Sequence, residues 1–260
     1  MTQRQYPVIK DTLDVRDHLA APPPPDRVLP PSVDLSFWLG PVKDQGQLGA
    51  CTGFAFSGLR EFLFRKFTAY ERNKALPAMA AIFSPLFQYY QERVVEGDID
   101  QDGGAQSRTG LQVLANTGIC LETADPYDPA RFEIAPSQDA VTQALQYRIG
   151  AYHRVVDLNT LRSVLASGYA ASLAFLVYAS FESAVVAQTG IVSLPAEGET
   201  CLGGHETLVY GYDDARRIVK VRNSWGEGWG MAGNFELPYD YFTGTLVMDM
   251  WMGHLGLPWL

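Results

Sequence analysis

A glycine-rich loop that runs directly into an apolar helix constrains this chain more than any other feature. Residues 41–57 read PVKDQGQLGACTGFAFS, and apolar side chains recur at helical spacing after Cys51. This pattern predicts a helix that begins at Cys51. A thiol at a helix N-terminus meets unpaired N–H groups and the helix dipole, which favour the thiolate over the thiol. The alternative is a small buried cysteine in a glycine turn.

Two later stretches contain the groups that a reactive thiol needs. In the stretch 203–212, GGHETLVYGY, His205 opens a strand-like alternation, and in 219–226, VKVRNSWG, Asn223 closes another. A thiol is a weak nucleophile at neutral pH until a base lowers its pKa, and a third group must hold that base in one tautomer. Two strands joined by a turn at 213–214 would place His205 beside Asn223, across a cleft from Cys51.

These motifs, in the order Cys, His, Asn, resemble those of the papain-like cysteine peptidases. The resemblance covers about residues 32–240 and includes Gln45 ahead of the cysteine. It implies that Cys51 is the nucleophile and that His205 is its base and later its acid. It also implies that Asn223 orients His205. Gln45 and the backbone N–H of Cys51 would form the oxyanion hole.

The same resemblance implies three residues of the substrate cleft. Gly103 and Gly104 match the family's glycine pair, whose backbone hydrogen-bonds an extended substrate. Trp225 matches the tryptophan that lines the cleft and shields the Asn–His hydrogen bond from water. The implied fold is α+β and papain-like, with a helical half over about 45–150 and a β-barrel-like half over about 151–260. The cleft lies between them.

Three positions depart from the family's usual pattern. Leu48 stands where a cysteine is usual, so the family's disulfide at this position cannot form. Thr52 replaces the tryptophan after the nucleophile, which predicts a smaller and more polar wall beside the thiol. Glu206 replaces the usual alanine and should point away from the thiol, because neighbours on a strand face opposite sides. The loop QGQLGACT looks like the bacterial or viral branch of the family.

Caps, breakers and periodicity predict the remaining elements. Helices are expected at 84–95, 107–118, 137–147 and 157–167, and strands at 170–177, 190–193, 205–212, 218–223 and 234–237. The pattern changes from helical to strand-like near Tyr169. The chain is therefore expected to form a helical half followed by a β half.

Residues 1–31 differ from the rest of the chain, and we expect them to form a unit apart from a peptidase domain at 32–260. Charged residues alternate with a few apolar ones up to His18, and prolines occur at 22–25 and at 30–31. Proline-rich chain favours an extended conformation, which loses little ordering entropy when it binds. We therefore expect a pro-segment or strap that occludes part of the cleft. The alternative is a flexible tail with a stiff spacer.

Charge and hydropathy exclude several classes of partner. The net charge of −9 argues against nucleic acids and anionic membranes, and it leaves cationic or neutral peptides open. No apolar run reaches the roughly 18 residues of a membrane span. The first residues lack the apolar core of a secretory signal, so we expect a cytoplasmic location or export by a route that needs no such signal. The chain has 3 cysteines, too few for a disulfide scaffold, although a Cys120–Cys201 bridge stays open.

Three partial motifs for metals or cofactors each lack a necessary element. The pair at 205–206 begins like a zinc-peptidase motif, but Val209 stands where the second histidine is needed. Residues 98–103 resemble half of a calcium loop, but Thr109 stands where a glutamate is required. Residues 228–233 match GxGxxG, but a strand-like stretch follows, which predicts a hairpin. We expect neither a metal nor a cofactor.

The leading hypothesis is a peptidase that acts on peptide or protein substrates through a thioester acyl-enzyme. Thr52 in place of a bulky tryptophan keeps open another acyl transfer by the same pair, such as amide or ester hydrolysis or transpeptidation. A further alternative is a non-catalytic peptide-binding module on a peptidase fold. All four catalytic positions hold the family's residues, which a disabled copy would not need.

Overall fold

The computed structural model describes residues 4–24, 26–71 and 81–256. The helices are α1 Cys51–Glu71, α2 Pro85–Glu96, α3 Ser107–Asn116, α4 Gln138–Ala144, α5 Leu158–Ala166 and α6 Ala184–Thr189. The strands are β1 Ser32–Asp34, β2 Ala151–Arg154, β3 Ala171–Tyr178, β4 Cys201–Asp213, β5 Ile218–Arg222, β6 Asn234–Pro238 and β7 Val247–His254. Across these ranges, no helix has the length and apolarity that crossing a bilayer requires.

Helix α1 is the centre of the helical layer. It packs against α2, α3 and β4, and Phe56, Leu59 and Phe62 on its inner face are fully buried. Glycine at 110 lets α3 approach closely, because a Cβ there would lie 2.1 Å from the Phe56 ring. The first residue of α1, Cys51, is thereby held between the helices and the sheet.

Four predicted helices are confirmed as α2 to α5, namely those at 84–95, 107–118, 137–147 and 157–167. The third of these is α4, which is followed by a 3-10 turn at Leu145–Tyr147. Three of them begin at the expected caps, each of which stabilises a helix by about 1 kcal/mol. Each cap accepts a hydrogen bond from the backbone N–H group three residues later: Ser84 from Phe87, Ser137 from Ala140 and Asp157 from Thr160.

All strand pairs are antiparallel, in the order β2-β7-β3-β4-β5-β6, and β1 pairs with the far end of β4. Edge strands β2 and β6 do not pair with each other anywhere in the described ranges, so the sheet is open. The α+β fold is therefore as expected, but the barrel-like closure of the β half is wrong. β4 is buried along most of its length because Leu208 faces a core with the helices while Val209 faces a second core.

Several elements differ from those that periodicity predicts. The expected strand at 190–193 is wrong, because Gly190 caps α6 in a left-handed conformation and only Ile191 forms a single bridge, to Glu236. β1 and β2 have 3 and 4 residues, too few to show an alternation. β7 is buried in its centre on successive residues, so it lacks the period of a half-buried strand. The hairpin at 228–233 is confirmed, since β5 and β6 pair in register around it.

The N-terminal segment lies against the body of the protein, although residues 1–3 and 25 fall outside the described ranges. Leu19 forms a bridge with Arg154, and Pro7 forms one with Gly204. Asp11 is only 3% exposed, and its carboxylate accepts hydrogen bonds from the Arg108 backbone and from the Trp251 indole. These contacts do not fit the alternative that the N-terminal segment is a flexible tail.

Candidate active site

Cys51 is the first residue of α1 and is fully buried. Burial raises the pKa of its thiol to about 12, and hydrogen bonds from the backbone of Glu206 and Thr52 only partly oppose this. The helix N-terminus alone was expected to favour the thiolate. That expectation is wrong for this structure, because the loss of water around the sulfur outweighs the dipole.

His205 on β4 and Asn223 just after β5 lie side by side, as the strand pattern predicted. His205 Nε2 lies 2.8 Å from Asn223 Oδ1, and the backbone N–H of Ser224 donates to the same oxygen at 2.9 Å. An atom that accepts from a backbone N–H must be the amide oxygen, so Nε2 carries the imidazole proton. His205 Nδ1 then holds a lone pair. It is buried, and none of the described residues hydrogen-bonds to it.

Burial also controls the charge of the histidine. It lowers the pKa of His205 to about 4, although the hydrogen bond to Asn223 opposes this effect. Trp225 stacks on the imidazole with ring centroids 5.1 Å apart and is itself 4% exposed. The indole therefore screens the His205–Asn223 hydrogen bond from water. In this covered state, both Cys51 and His205 are neutral at pH 7.

The Gln45 side chain is held in one orientation. Its Nε2 donates to the Leu48 carbonyl at 2.9 Å, and its Oε1 accepts from the Ser224 hydroxyl. The Tyr127 hydroxyl donates to the Gln45 carbonyl at 2.7 Å. An amide nitrogen has two N–H donors, so one remains for another acceptor. Ser224 and Tyr127 had no predicted role, although Ser224 belongs to the quoted Asn-Ser-Trp-Gly motif.

Gly103 and Gly104 lie at the cleft, beside the glycine loop that precedes Cys51. The backbone N–H of Gly104 donates to the Tyr89 hydroxyl at 3.1 Å, and that hydroxyl donates to Asp102 at 2.6 Å. Asp102 also accepts from the Gly49 N–H at 2.9 Å. Tyr89 and Asp102 thus tie the two glycine loops together. The sequence analysis assigned no role to either residue, since Asp102 was one acid among several in the stretch that resembles half of a calcium loop.

Residues 6–8 of the N-terminal segment run through this cleft. The Gly204 N–H donates to the Tyr6 carbonyl at 3.0 Å, and the Val8 N–H donates to the Gly204 carbonyl at 3.2 Å. Val8 packs in one apolar cluster with Cys51 and Ala174. A Cβ on Gly49 or on Gly104 would lie 2.8 or 2.5 Å from the Pro7 ring. The segment therefore fills the space above the thiol.

The three departures from the family pattern each have a structural account. Leu48 packs in a small apolar cluster that includes Phe54. The Thr52 hydroxyl does not face the cleft, because it donates to the buried Glu92 carboxylate at 2.6 Å. The Glu206 side chain points away from the thiol and accepts a hydrogen bond from Ser107 on α3. The more polar wall expected at Thr52 is therefore not formed.

The other two cysteines do not form a disulfide with each other. Cys120 is buried, Cys201 is exposed, and both are free thiols, so the bridge left open by the sequence is not formed. No group of three His, Cys, Asp or Glu residues within the described ranges has an arrangement that would hold a metal ion.

Comparison with known proteins places this arrangement in a family. A model of the papain family cysteine proteases matches residues 29–243. The uncharacterized peptidase C1-like protein L477 of Acanthamoeba polyphaga mimivirus is 35% identical over 219 residues, which cover 80% of this chain and 68% of the viral protein. Chymopapain of Carica papaya is 26% identical over 200 residues, which are 76% of this chain and 51% of that protein.

Comparison of the fold with solved structures agrees with the sequence comparisons. Xylellain, a cysteine protease from Xylella fastidiosa, superposes with a TM-score of 0.83 and is 33% identical, with 98% of both chains covered. The papain-like resemblance read from the motifs is thus confirmed, including its similarity to bacterial and viral members. The chain belongs to the papain family of cysteine proteases and is a hydrolase.

Proposed function

We propose that the chain hydrolyses peptide bonds with Cys51 as nucleophile, His205 as general base and acid, and Asn223 as the group that orients His205. The observation that carries this is the tautomer of His205. Nε2 is committed to Asn223, so the lone pair on Nδ1 is free. The Cys51 sulfur accepts a hydrogen bond from the backbone of Glu206, which is the residue after His205 on β4.

The reaction follows from these positions. His205 Nδ1 takes the thiol proton, and the sulfur attacks the carbonyl carbon of the substrate. The C–N bond breaks as His205 returns the proton to the leaving amine, which leaves a thioester on Cys51. His205 then deprotonates a water that attacks the thioester, and the carboxylic acid and the free thiol are released.

Two donors would stabilise the oxyanion. The backbone N–H of Cys51 is at a helix start, where it has no acceptor within the helix. The Gln45 amide is fixed by Leu48 and Ser224 and has a second N–H to offer. We infer that both donate to the substrate oxygen in the transition state, when its charge develops.

We infer that the substrate binds as an extended chain, and the backbone contacts of the strap in the cleft support this. Tyr6 and Val8 exchange backbone hydrogen bonds with Gly204. We infer that Gly103 and Gly104 offer similar backbone contacts to a peptide, and that Trp225 lines the wall next to His205. The absence of side chains at Gly49 and Gly104 is what admits Pro7, and it would admit a substrate backbone equally.

We infer that residues 1–31 act as an inhibitory strap on a peptidase domain at 32–260, with a helical half over about 45–150 and a β half over about 151–260. The strap runs in the opposite direction to a substrate. The leaving amine must pass His205, so the C-terminal part of a substrate lies near Trp225. In the strap, it is the N-terminal Arg4 that lies over Trp225, 4.2 Å from the ring centroid. Its peptide bonds therefore meet the thiol with the wrong polarity for cleavage.

Burial under the strap would also suppress the chemistry electrostatically. A thiolate–imidazolium pair forms when the pKa of the thiol lies below that of the imidazole. In the covered site this order is reversed, because the pKa of the Cys51 thiol is about 12 and the pKa of the His205 imidazole is about 4. Displacement of the strap would readmit water and stabilise both charged forms.

The test uses the full chain with an epoxide or vinyl-sulfone inactivator and a fluorogenic peptide. We expect intact mass and peptide mapping to show a single label on Cys51, and Cys51→Ala to lose hydrolysis. Cys120→Ala is the matched control, because it removes another buried thiol outside the cleft. Unchanged hydrolysis by Cys51→Ala would contradict the assignment. Comparison of small amides, esters and peptides separates a peptidase from other acyl transfer.

A further inference from the structure

One carboxylate holds two side chains of the strap. Glu182 ends the 3-10 turn Ala179–Glu182 that follows β3. It accepts a hydrogen bond from the Tyr6 hydroxyl, and its other oxygen lies 3.3 Å from the Arg4 guanidinium. Among the described residues, Arg4 is the only cation that pairs with Glu182. Removal of the strap would leave this carboxylate at the cleft without a counter-charge.

An aromatic face lies next to the same carboxylate. The Arg4 guanidinium lies over the Trp225 ring, 4.2 Å from its centroid, while it contacts Glu182. A carboxylate together with an indole face is the combination that binds arginine and lysine side chains, through an ion pair and a cation–π contact. The side chains of Arg4 and Glu182 are 33% and 31% exposed, so the pair is only partly screened by water.

The position of this site relative to His205 decides which part of a substrate it would meet. Trp225 stacks directly on His205, which protonates the leaving amine in the proposed reaction. The acyl side lies in the other direction, where Val8 packs beside Ala174 and Met248. Glu182 and Trp225 therefore face the residues that follow the cleaved bond.

We propose that Glu182 and Trp225 form a subsite that selects an arginine or lysine side chain within the first two residues after the cleaved bond. Arg4 of the strap occupies this subsite and must leave it before such a substrate binds. The inference rests on the proposed peptidase function of the cleft. The net charge of −9 fits a preference for cationic peptides.

The experiment measures kcat/KM on peptide pairs that differ only in arginine or citrulline at the first or second residue after the bond. Citrulline has the shape of arginine without its charge. The full chain is used with Arg4→Ala and Tyr6→Ala, which remove the strap's two contacts with Glu182. Glu182→Gln is compared in this background with Glu197→Gln, which removes an equal charge from an exposed position on the nearby turn.

We expect arginine to be preferred roughly three- to tenfold, the size of effect that a partly exposed ion pair and a cation–π contact provide. Glu182→Gln should lower this ratio towards one, and Glu197→Gln should keep the ratio. Salt at about 0.5 M should reduce the ratio, since the pair is partly exposed.

Two kinds of result overturn the inference in different ways. Cys51-dependent hydrolysis with equal rates for arginine and citrulline, or with a ratio that Glu182→Gln does not change, overturns the subsite and leaves the peptidase function standing. Absence of hydrolysis of every peptide by every variant, with no labelling of Cys51, overturns both the subsite and the proposed function.

Discussion

His205 Nε2 donates a hydrogen bond of 2.8 Å to Asn223 Oδ1, and the direction of that bond is set by Ser224, whose N–H donates to the same oxygen. The proton is thus held on Nε2, away from the thiol, and the lone pair is on Nδ1. In the proposed reaction, this relationship determines which nitrogen acts as the base, and the first prediction tests it.

Asn223→Ala should lower kcat by less than the roughly 10²–10⁴-fold expected for loss of the base itself in His205→Ala. The imidazole would remain but would no longer be held in one tautomer. Asn223→Asp keeps an acceptor oxygen and adds a charge that favours the imidazolium, so it should move the acidic limb of the pH profile to higher pH. The measurement is kcat/KM against pH. Equal profiles for the parent and Asn223→Ala would contradict the assignment.

Val8→Asp should activate the full chain. Val8 is 5% exposed and packs beside Cys51 and Ala174, so an unpaired carboxylate there is costly and should displace the strap. We expect peptide hydrolysis and inactivator labelling to rise roughly tenfold or more. Val28→Asp places the same charge on the same segment at a site that is 92% exposed, and it should have no effect. Similar rates for both variants would contradict strap inhibition.

Labelling of Cys51 in the parent chain should rise steeply with pH. Because the pKa of the covered thiol is about 12, its thiolate fraction increases roughly tenfold per pH unit between pH 7 and 10. In Val8→Asp, a hydrated thiol with a lower pKa should give a flatter profile. The rate of iodoacetamide alkylation at Cys51, followed by peptide mapping because Cys201 is an exposed free thiol, measures both. A parent profile that levels off below pH 8 would contradict a buried neutral thiol.

Glu92→Gln should stabilise the protein at alkaline pH. Burial raises the pKa of Glu92 to about 8, although hydrogen bonds from Thr52 and Gln88 oppose this. The unfolded chain loses that proton near pH 4.5, so the free energy of unfolding falls as pH rises from about 4.5 to about 8. A glutamine stays neutral and removes this loss. The expected gain is of the order of a few kcal/mol at pH 8 and close to zero at pH 4.5.

Urea unfolding of Glu92→Gln at pH 4.5 and pH 8 measures the difference. Glu133→Gln, at an exposed position, is the matched control and should follow the parent at both pH values. If Glu92→Gln loses stability between these pH values as steeply as the parent does, the buried carboxyl is not the cause.

Gly110→Ala and Gly58→Ala should have opposite effects on stability. Both residues lie inside helices, but a Cβ at 110 would lie 2.1 Å from the Phe56 ring, whereas the nearest atom at 58 is 3.6 Å away. We expect Gly110→Ala to destabilise by about 1–3 kcal/mol through overpacking. Gly58→Ala should stabilise by about 0.5–1 kcal/mol, because alanine loses less entropy in a helix. Thermal unfolding of both variants checks the sign, and equal signs would contradict the close α1–α3 contact.

Much of the site could be predicted because its signals are local. The start of α1 at Cys51, the caps at Ser84 and Asp157, and the strand patterns around His205 and Asn223 are each written in contiguous residues. The supports of the site could not be predicted in the same way. Asp102 joins Tyr89 to Gly49, which are separated widely along the chain, and no local pattern records such a contact.

The sequence by itself determined the family, the α+β class and the identity of the residues that meet at the cleft, since these depend on local periodicity, caps and motif order. The tertiary structure decided the charge states of Cys51 and His205, because desolvation depends on what covers a group and not on its neighbours in sequence. It also decided that Arg4 meets Glu182, a pair separated by 178 positions. Contacts between residues so far apart in the sequence exist only once the chain has folded.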